Sequence, residues 1–178
     1  MATKLAVGDA AIQRSLSAFK GIGRRFQIQG DLPVRSGIIT LVDDYGHHPR
    51  EIAATLEALK QAWSNRRSII IFQPHRYTRT RDLFEDFVQV LAGVDVLILM
   101  DIYPAGESVI TGADGRSLSR AIRLRGQVDP IFVERWEDLP KLLAGIIHEN
   151  DVVLTMGAGN VGQFSTQLPQ LLLQELAG

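Results

Sequence analysis

Apolar residues along the chain fall into short β-branched runs that alternate with longer stretches in which they recur every three or four positions. The short runs predict buried strands, and the longer stretches predict helices that pack on one face. The predicted strands cover residues 26–32, 38–42, 68–72, 94–100, 131–133 and 152–156. The predicted helices cover residues 9–20, 49–64, 82–91, 117–125, 136–148 and 161–176.

Strands and helices alternate strictly from residue 38 onward, which predicts a parallel sheet with right-handed crossovers. The first two strands are close in sequence and are expected to pair as a hairpin, so the first is an antiparallel or edge strand. The expected fold class is therefore α/β, a Rossmann-like three-layer sandwich with a mostly parallel sheet. Gly21 and Gly23, in the string GIGRRF, predict a hinge before the first strand.

Composition narrows the class of protein. A length of 178 residues predicts one domain, and a net charge of −1 argues against general binding to nucleic acid or to a membrane surface. No apolar run approaches the roughly 18 residues that span a bilayer, and no signal-peptide core is present at the N-terminus, so the cytoplasm is the expected compartment. The chain has no cysteine, which excludes thiolate catalysis and cysteine zinc sites. Of its 19 basic residues 15 are arginine, the side chain suited to phosphate and carboxylate, although a general preference for arginine would give the same count.

Unusual polar residues follow four of the predicted strands. Ligands of open α/β sheets bind at the carboxyl ends of the strands, so these loops predict a site at one edge. The loops carry Asp43, Asp44, Tyr45, His47 and His48; Gln73, His75, Arg76, Tyr77, Arg79 and Arg81; Asp101, Tyr103 and Glu107; and the string GAGNVG at 157–162.

The string QPHRYTRTRD predicts an anion clamp. If this loop folds back on itself, Arg76 and Arg79 can converge on one phosphate or carboxylate. The alternative is a solvated face at the start of a helix. Three cations at a helix N-terminus oppose the helix dipole, so a compensating group is expected nearby.

The string DDYGHHP allows three interpretations. Asp44 could bond a sugar or nucleotide hydroxyl, with His47 as a further polar contact. Alternatively, its aspartates and histidines could bind a metal ion together with His75 and Asp101. In the third interpretation, Asp43 or Asp44 caps the following helix.

GAGNVG matches the dinucleotide-binding pattern G-x-G-x-x-G between a strand and a helix. However, no later strand carries the acidic residue that would hydrogen-bond the ribose. Close packing and a contact at the rim of the site are expected here instead of NAD binding.

Five strings, in this order and spacing, resemble the C-terminal domain of the Mur ligases: GRRFQ, LVDDYGHHPREI, IFQPHRYTRTRDLFEDF, DIYPAGE and GAGNVG. The resemblance covers the chain from about residue 5 and is strongest to members that join L-alanine to UDP-N-acetylmuramate; the members that recycle murein tripeptide come next. It implies that 1–23 is the end of a central-domain helix and a hinge, and that 24–178 is the C-terminal domain. No P-loop lysine string occurs, so the chain is expected to be an excised domain that is inactive alone.

The resemblance also implies the chemistry. ATP phosphorylates the muramoyl carboxylate, and the amine of L-alanine attacks the acyl phosphate. UDP-N-acetylmuramate, L-alanine and ATP are the implied ligands, and the N-terminal and central domains are the implied partners. ATP and Mg²⁺ are expected to be held mainly by the central domain, with no metal ligand in this chain. A non-catalytic module that binds an anionic metabolite remains the alternative.

Each site residue receives a role from the same resemblance. The implied roles are nucleotide contact for Arg25; ATP ribose binding for Asp44; the substrate side for Tyr45 and His47; the substrate carboxylates for His75, Arg76 and Arg79; and the border of the cleft for Gly157 and Asn160. The residues expected to act in catalysis are Arg25, His47, Arg76 and Arg79.

Overall fold

Helices cover both faces of a six-stranded sheet in the computed structural model, which describes residues 13–14 and 23–177. The strands are β1 (Gln27–Val34), β2 (Gly37–Asp44), β3 (Ser68–Phe72), β4 (Val96–Met100), β5 (Ile131–Val133) and β6 (Val152–Met156). The helices are α1 (Pro49–Ala62), α2 (Tyr77–Asp82), α3 (Phe84–Leu91), α4 (Gly115–Leu124), α5 (Leu139–Ile146) and α6 (Val161–Ala177).

The strand order is β1-β2-β6-β3-β4-β5, and only β1 runs antiparallel to its neighbour. This confirms the predicted hairpin, the antiparallel edge strand and the parallel sheet. Met156 of β6 pairs with Asp44 on one side and with Phe72 on the other. The carboxyl ends of β2, β6 and β3 therefore lie level with one another.

Each face of the sheet has its own hydrophobic core. Ile70 and Phe72 of β3 belong to the core under α1, α3 and α4. Ile69 and Ile71 of the same strand belong to the core under α5 and α6. Because both faces are covered, the strand is an unbroken apolar run, and the predicted three-layer sandwich is confirmed.

Some predicted boundaries differ from the structure. The helix predicted at 82–91 is preceded by a separate helix, α2, which begins at Tyr77. The helix predicted at 136–148 is a 3-10 turn at Trp136–Asp138 followed by α5. Most of the helix predicted at 9–20, and Gly21 of the predicted hinge, lie outside the described residues. In the described part of the chain, no helix is both long and apolar enough to cross a membrane.

Candidate functional site

Backbone hydrogen bonds join the four predicted loops at the carboxyl edge of the sheet. Gly157 N–H donates to the Asp44 carbonyl at 3.2 Å, and Gln73 N–H donates to the Met156 carbonyl at 3.0 Å. The loop after β4 joins them, because Arg76 N–H donates to the Tyr103 carbonyl at 2.8 Å. The prediction that these loops meet is confirmed, and we call loops 43–48, 73–79, 101–107 and 157–160 together the site edge.

Four aromatic rings form a continuous row across the site edge. The ring centroids of Tyr45 and His47 are 5.4 Å apart, and those of His47 and His75 are 5.7 Å apart. His75 then stacks on Tyr103 at 5.4 Å with an interplanar angle of 18°. Three loops therefore contribute to one surface, which we call the ring row.

Two arginines flank His75 in the middle of the ring row. Arg79 Nη1 donates to the His75 carbonyl at 3.1 Å and lies 3.2 Å from His75 Nδ1. Burial lowers the pKa of His75, and the positive charges of Arg79, His47 and Arg76 lower this pKa further. A neutral ring that accepts from Arg79 at Nδ1 carries its hydrogen on Nε2. Arg79 of the predicted clamp thus contacts a neutral imidazole, and the charge of Arg76 acts on the same ring, while their binding of an anion stays a prediction.

Glu107 supplies the compensating charge expected near the arginine-rich helix. Its carboxylate accepts from Thr78 N–H at 3.0 Å and from the Thr78 hydroxyl at 2.7 Å, in the first turn of α2. It also lies 3.6 Å from Arg76 Nη1. These hydrogen bonds and the charge of Arg76 lower the pKa of Glu107. A negative charge at this helix end offsets the cations and fixes the loop after β4.

Asp44 is buried and holds the segment before β1. Its Oδ2 accepts from Phe26 N–H at 2.7 Å, and its Oδ1 accepts from Gly46 N–H at 2.7 Å. Both contacts are with backbone groups of the chain itself. The ribose-binding role implied for Asp44 stays a prediction.

The interpretation in which Asp43 or Asp44 caps the next helix is wrong. His48 is the N-cap of α1, and its Nδ1 accepts from Arg50 N–H at 3.3 Å. Glu51 completes the capping box by accepting from His48 N–H at 3.3 Å. Burial raises the pKa of Glu51, but hydrogen bonds from His47 and His48 and the charges of His47 and Arg25 outweigh it, so the pKa is lowered overall.

The two arginines of GRRF occupy different environments. Arg25, which was predicted to contact nucleotide, keeps 53% of its side chain exposed and lies 5.9 Å from the centre of the Tyr45 ring. Arg24 was not predicted as a site residue, yet its Nε donates to buried Asp43 at 2.7 Å. A buried carboxylate requires a partner, so Asp43, the first aspartate of the DD pair, was the signal that could have identified Arg24.

The glycine-rich loop binds groups of the protein itself. Gln73 Nε2 donates to Asn160 Oδ1 at 2.7 Å, and Val161 N–H donates to Gln73 Oε1 at 3.2 Å. The Gly157 carbonyl accepts from Arg24 Nη2 at 2.6 Å. The expected close packing is confirmed, and the substrate contacts implied for Gly157 and exposed Asn160 stay predictions.

The residues proposed for a metal site do not form one. Within residues 13–14 and 23–177, no three histidine, aspartate or glutamate side chains are grouped to hold an ion. The oxygens of Asp43 already accept from Arg24 and from the Thr155 hydroxyl.

Comparison with known proteins identifies relatives for nearly the whole chain. The family described as "Mur ligase, glutamate ligase domain" matches residues 24–159. A curated UDP-N-acetylmuramate–L-alanine ligase of Methylococcus capsulatus is 61% identical over 98% of this chain and 37% of its own length. The enzyme of that name from Halorhodospira halophila is 55% identical over 94% of this chain and 35% of its own.

A solved structure resembles the chain over most of its length. The UDP-N-acetylmuramate-alanine ligase MurC of Thermotoga maritima superposes with a TM-score of 0.70 and 26% identity, over 97% of this chain and 35% of the other. The chain therefore spans slightly more than a third of the length of these relatives.

Proposed function

The chain belongs to the Mur ligase, glutamate ligase domain family, and from this membership we infer that it works as the C-terminal part of an ATP-dependent ligase that joins L-alanine to UDP-N-acetylmuramate. In this proposal residues 24–178 form the domain that closes over the substrates, and residues 1–23 belong to the connection with a central domain. The names of both curated relatives favour L-alanine over murein tripeptide.

The observation that carries the proposal is the pair of cations beside neutral His75. Both substrates bear a carboxylate, and the reaction develops negative charge on phosphoryl and carboxyl oxygens. Arg79 is oriented by its bond to the His75 carbonyl, and Arg76 by its ion pair with Glu107. Oriented guanidinium groups that need no rearrangement stabilise such charge most effectively.

The remaining candidate residues, in the site edge and in the segment before β1, are each assigned to one ligand. We assign Arg25 and Asp44 to the nucleotide, and Tyr45 and His47 to the substrate side. Gly157 and Asn160 border the cleft. ATP and Mg²⁺ would be held mainly by the central domain of such a ligase, and the cytoplasm is the compartment in which these substrates would be met.

A domain exchange tests the proposed function. The C-terminal part of the Methylococcus ligase is replaced by this chain, and release of phosphate from ATP is measured with UDP-N-acetylmuramate and L-alanine. We expect L-alanine-dependent turnover from the chimera and none from the isolated chain. A folded chimera that uses murein tripeptide but not L-alanine would contradict the assigned substrate, and a folded chimera without turnover would contradict the function.

A further inference from the structure

The guanidinium of Arg24 joins three segments that are distant in sequence. Nε donates to Asp43 at the end of β2, and Nη2 donates to the Gly157 carbonyl after β6. The same group lies against Gly162, where an added Cβ would overlap it. Gly162, at the start of α6, therefore provides the space in which Arg24 is seated.

Arg24 also fixes Tyr45, the first ring of the ring row. The Arg24 carbonyl accepts from Tyr45 N–H at 2.7 Å. Its guanidinium carbon lies 5.2 Å from the centre of the Tyr45 ring, a distance at which a cation and a ring attract each other. Both the backbone and the ring of Tyr45 are thus held by one residue.

The backbone turns sharply on both sides of Arg25. Arg24 has φ 59° and Phe26 has φ 45°, values in the left-handed region that non-glycine residues rarely adopt. Each of the two is held in place, Arg24 by its side-chain bonds and Phe26 by the bond from its N–H to Asp44. Adjacent side chains consequently point to different environments: Arg24 is 26% exposed and Arg25 is 53% exposed.

We propose that Arg24 is a positioning residue, packed against Gly162, that holds Tyr45 in the ring row and sets Arg25 towards the nucleotide. It acts through these two neighbours and does not itself touch a ligand. Its effect on turnover rests on the proposed function, whereas its control of Tyr45 does not. The two parts are therefore tested separately.

The first test uses the 178-residue chain alone. In Gly162→Ala the added methyl group occupies the space of the Arg24 guanidinium, while every charged residue is kept. We expect faster hydrogen exchange at the Tyr45 amide, with unchanged exchange at Ile70 in the centre of the sheet. Gly145→Ala in α5 is the matched control, because nothing lies within 4 Å of the added Cβ there. Tyr45 exchange equal to that of the unsubstituted chain would overturn the proposal.

The second test uses the chimeric ligase with Arg24→Lys. Lysine keeps the positive charge beside Asp43 but lacks the guanidinium group, whose two nitrogens bond Asp43 and Gly157 at the same time. We expect the KM for ATP to rise by about 10-fold to 100-fold, as small misplacements of binding groups produce, with an unchanged KM for L-alanine. Arg35→Lys, at an exposed arginine that donates to the Leu176 carbonyl, is the control.

The outcomes separate the two proposals. An active chimera whose Arg24→Lys variant keeps the parent KM for ATP would overturn the positioning role and leave the proposed function intact. An inactive parent chimera would overturn the proposed function. The exchange of the Tyr45 amide in the isolated chain would still decide whether Arg24 holds Tyr45.

Discussion

At the scale of single residues, His75 has an environment that fixes its charge. Burial and the neighbouring guanidinium groups lower its pKa, so the ring is neutral where an isolated histidine would be partly protonated. A neutral ring can stack on Tyr103 and accept from Arg79 together. The string QPHR identified the residue, but the lowered pKa depends on contacts from three loops and could not be predicted from the sequence.

Removing the Arg79 guanidinium should raise the pKa of His75 towards its ordinary value of about 6.5, because a nearby positive charge disfavours the protonated ring. NMR titration of the histidine rings in Arg79→Ala measures this shift. Arg81→Ala is the control, since Arg81 pairs with Asp82 on the exposed side of the same helix. An unchanged His75 pKa in Arg79→Ala would contradict the role given to this cation.

The same lowered pKa predicts how stability depends on pH. Above about pH 6.5 His75 is neutral in both the folded and the unfolded chain, so its contribution is fully present. As the pH falls below this value, the unfolded state takes up a proton first, and the free energy of unfolding decreases. When urea unfolding is measured between pH 7 and pH 5, the free energy of unfolding should therefore decrease less steeply for His75→Asn than for the unsubstituted chain. The pKa of Glu51 is also lowered, so its contribution to the free energy of unfolding is lost only as the pH falls near and below about 4.5.

Gly159 should tolerate no side chain. A Cβ at this position would lie 2.7 Å from the Tyr103 Cβ, so the ring that stacks on His75 would have to move. We expect Gly159→Ala to lower the free energy of unfolding by about 1–3 kcal/mol. In the control Gly145→Ala, within a helix and with open space around it, we expect a gain of about 0.4–1 kcal/mol. Equal effects in urea unfolding would contradict this packing.

At the scale of elements, strands were predicted better than helix starts. β3 and β6 match their predicted ranges because a strand covered on both faces is a nearly continuous apolar run, and the range of β5 was also predicted. The start of α2 at Tyr77 was missed because its first turns carry Arg79 and Arg81 and no acid. The carboxylate that offsets them is Glu107, which lies 29 residues after its partner Thr78. A contact between residues so far apart in the sequence leaves no pattern within a short stretch of sequence.

Glu107→Gln should loosen the connection between the loop after β4 and α2. The amide keeps the volume of the side chain but loses the charge that pairs with Arg76 and strengthens the bonds from Thr78. We expect faster hydrogen exchange at the Thr78 amide. Glu134→Gln, at an exposed glutamate that pairs with Arg116, should leave Thr78 unchanged. Identical exchange in both variants would show that the charge of Glu107 does not hold the helix end.

At the scale of the whole molecule, topology brings the site together. Alternating strands and helices predicted which loops share an edge, and the level register of β2, β6 and β3 confirms it. The side-chain partners could not be predicted in the same way. Arg24 reaches Asp43 across 19 residues and Gly157 across 133, and only the folded sheet makes these groups neighbours.

The central claim is that the cations of the site edge act on the anionic groups of the ligase reaction. Its most direct test is the kinetics of the chimeric ligase with Arg76→Ala, because Arg76 is 48% exposed and its loss should little affect folding. We predict that kcat/KM for L-alanine falls by about 100-fold or more, with an unchanged melting temperature. Arg125→Ala, which removes an exposed pair with Glu85, should leave kcat/KM unchanged. An Arg76→Ala chimera with the parent's kcat/KM would contradict the claim.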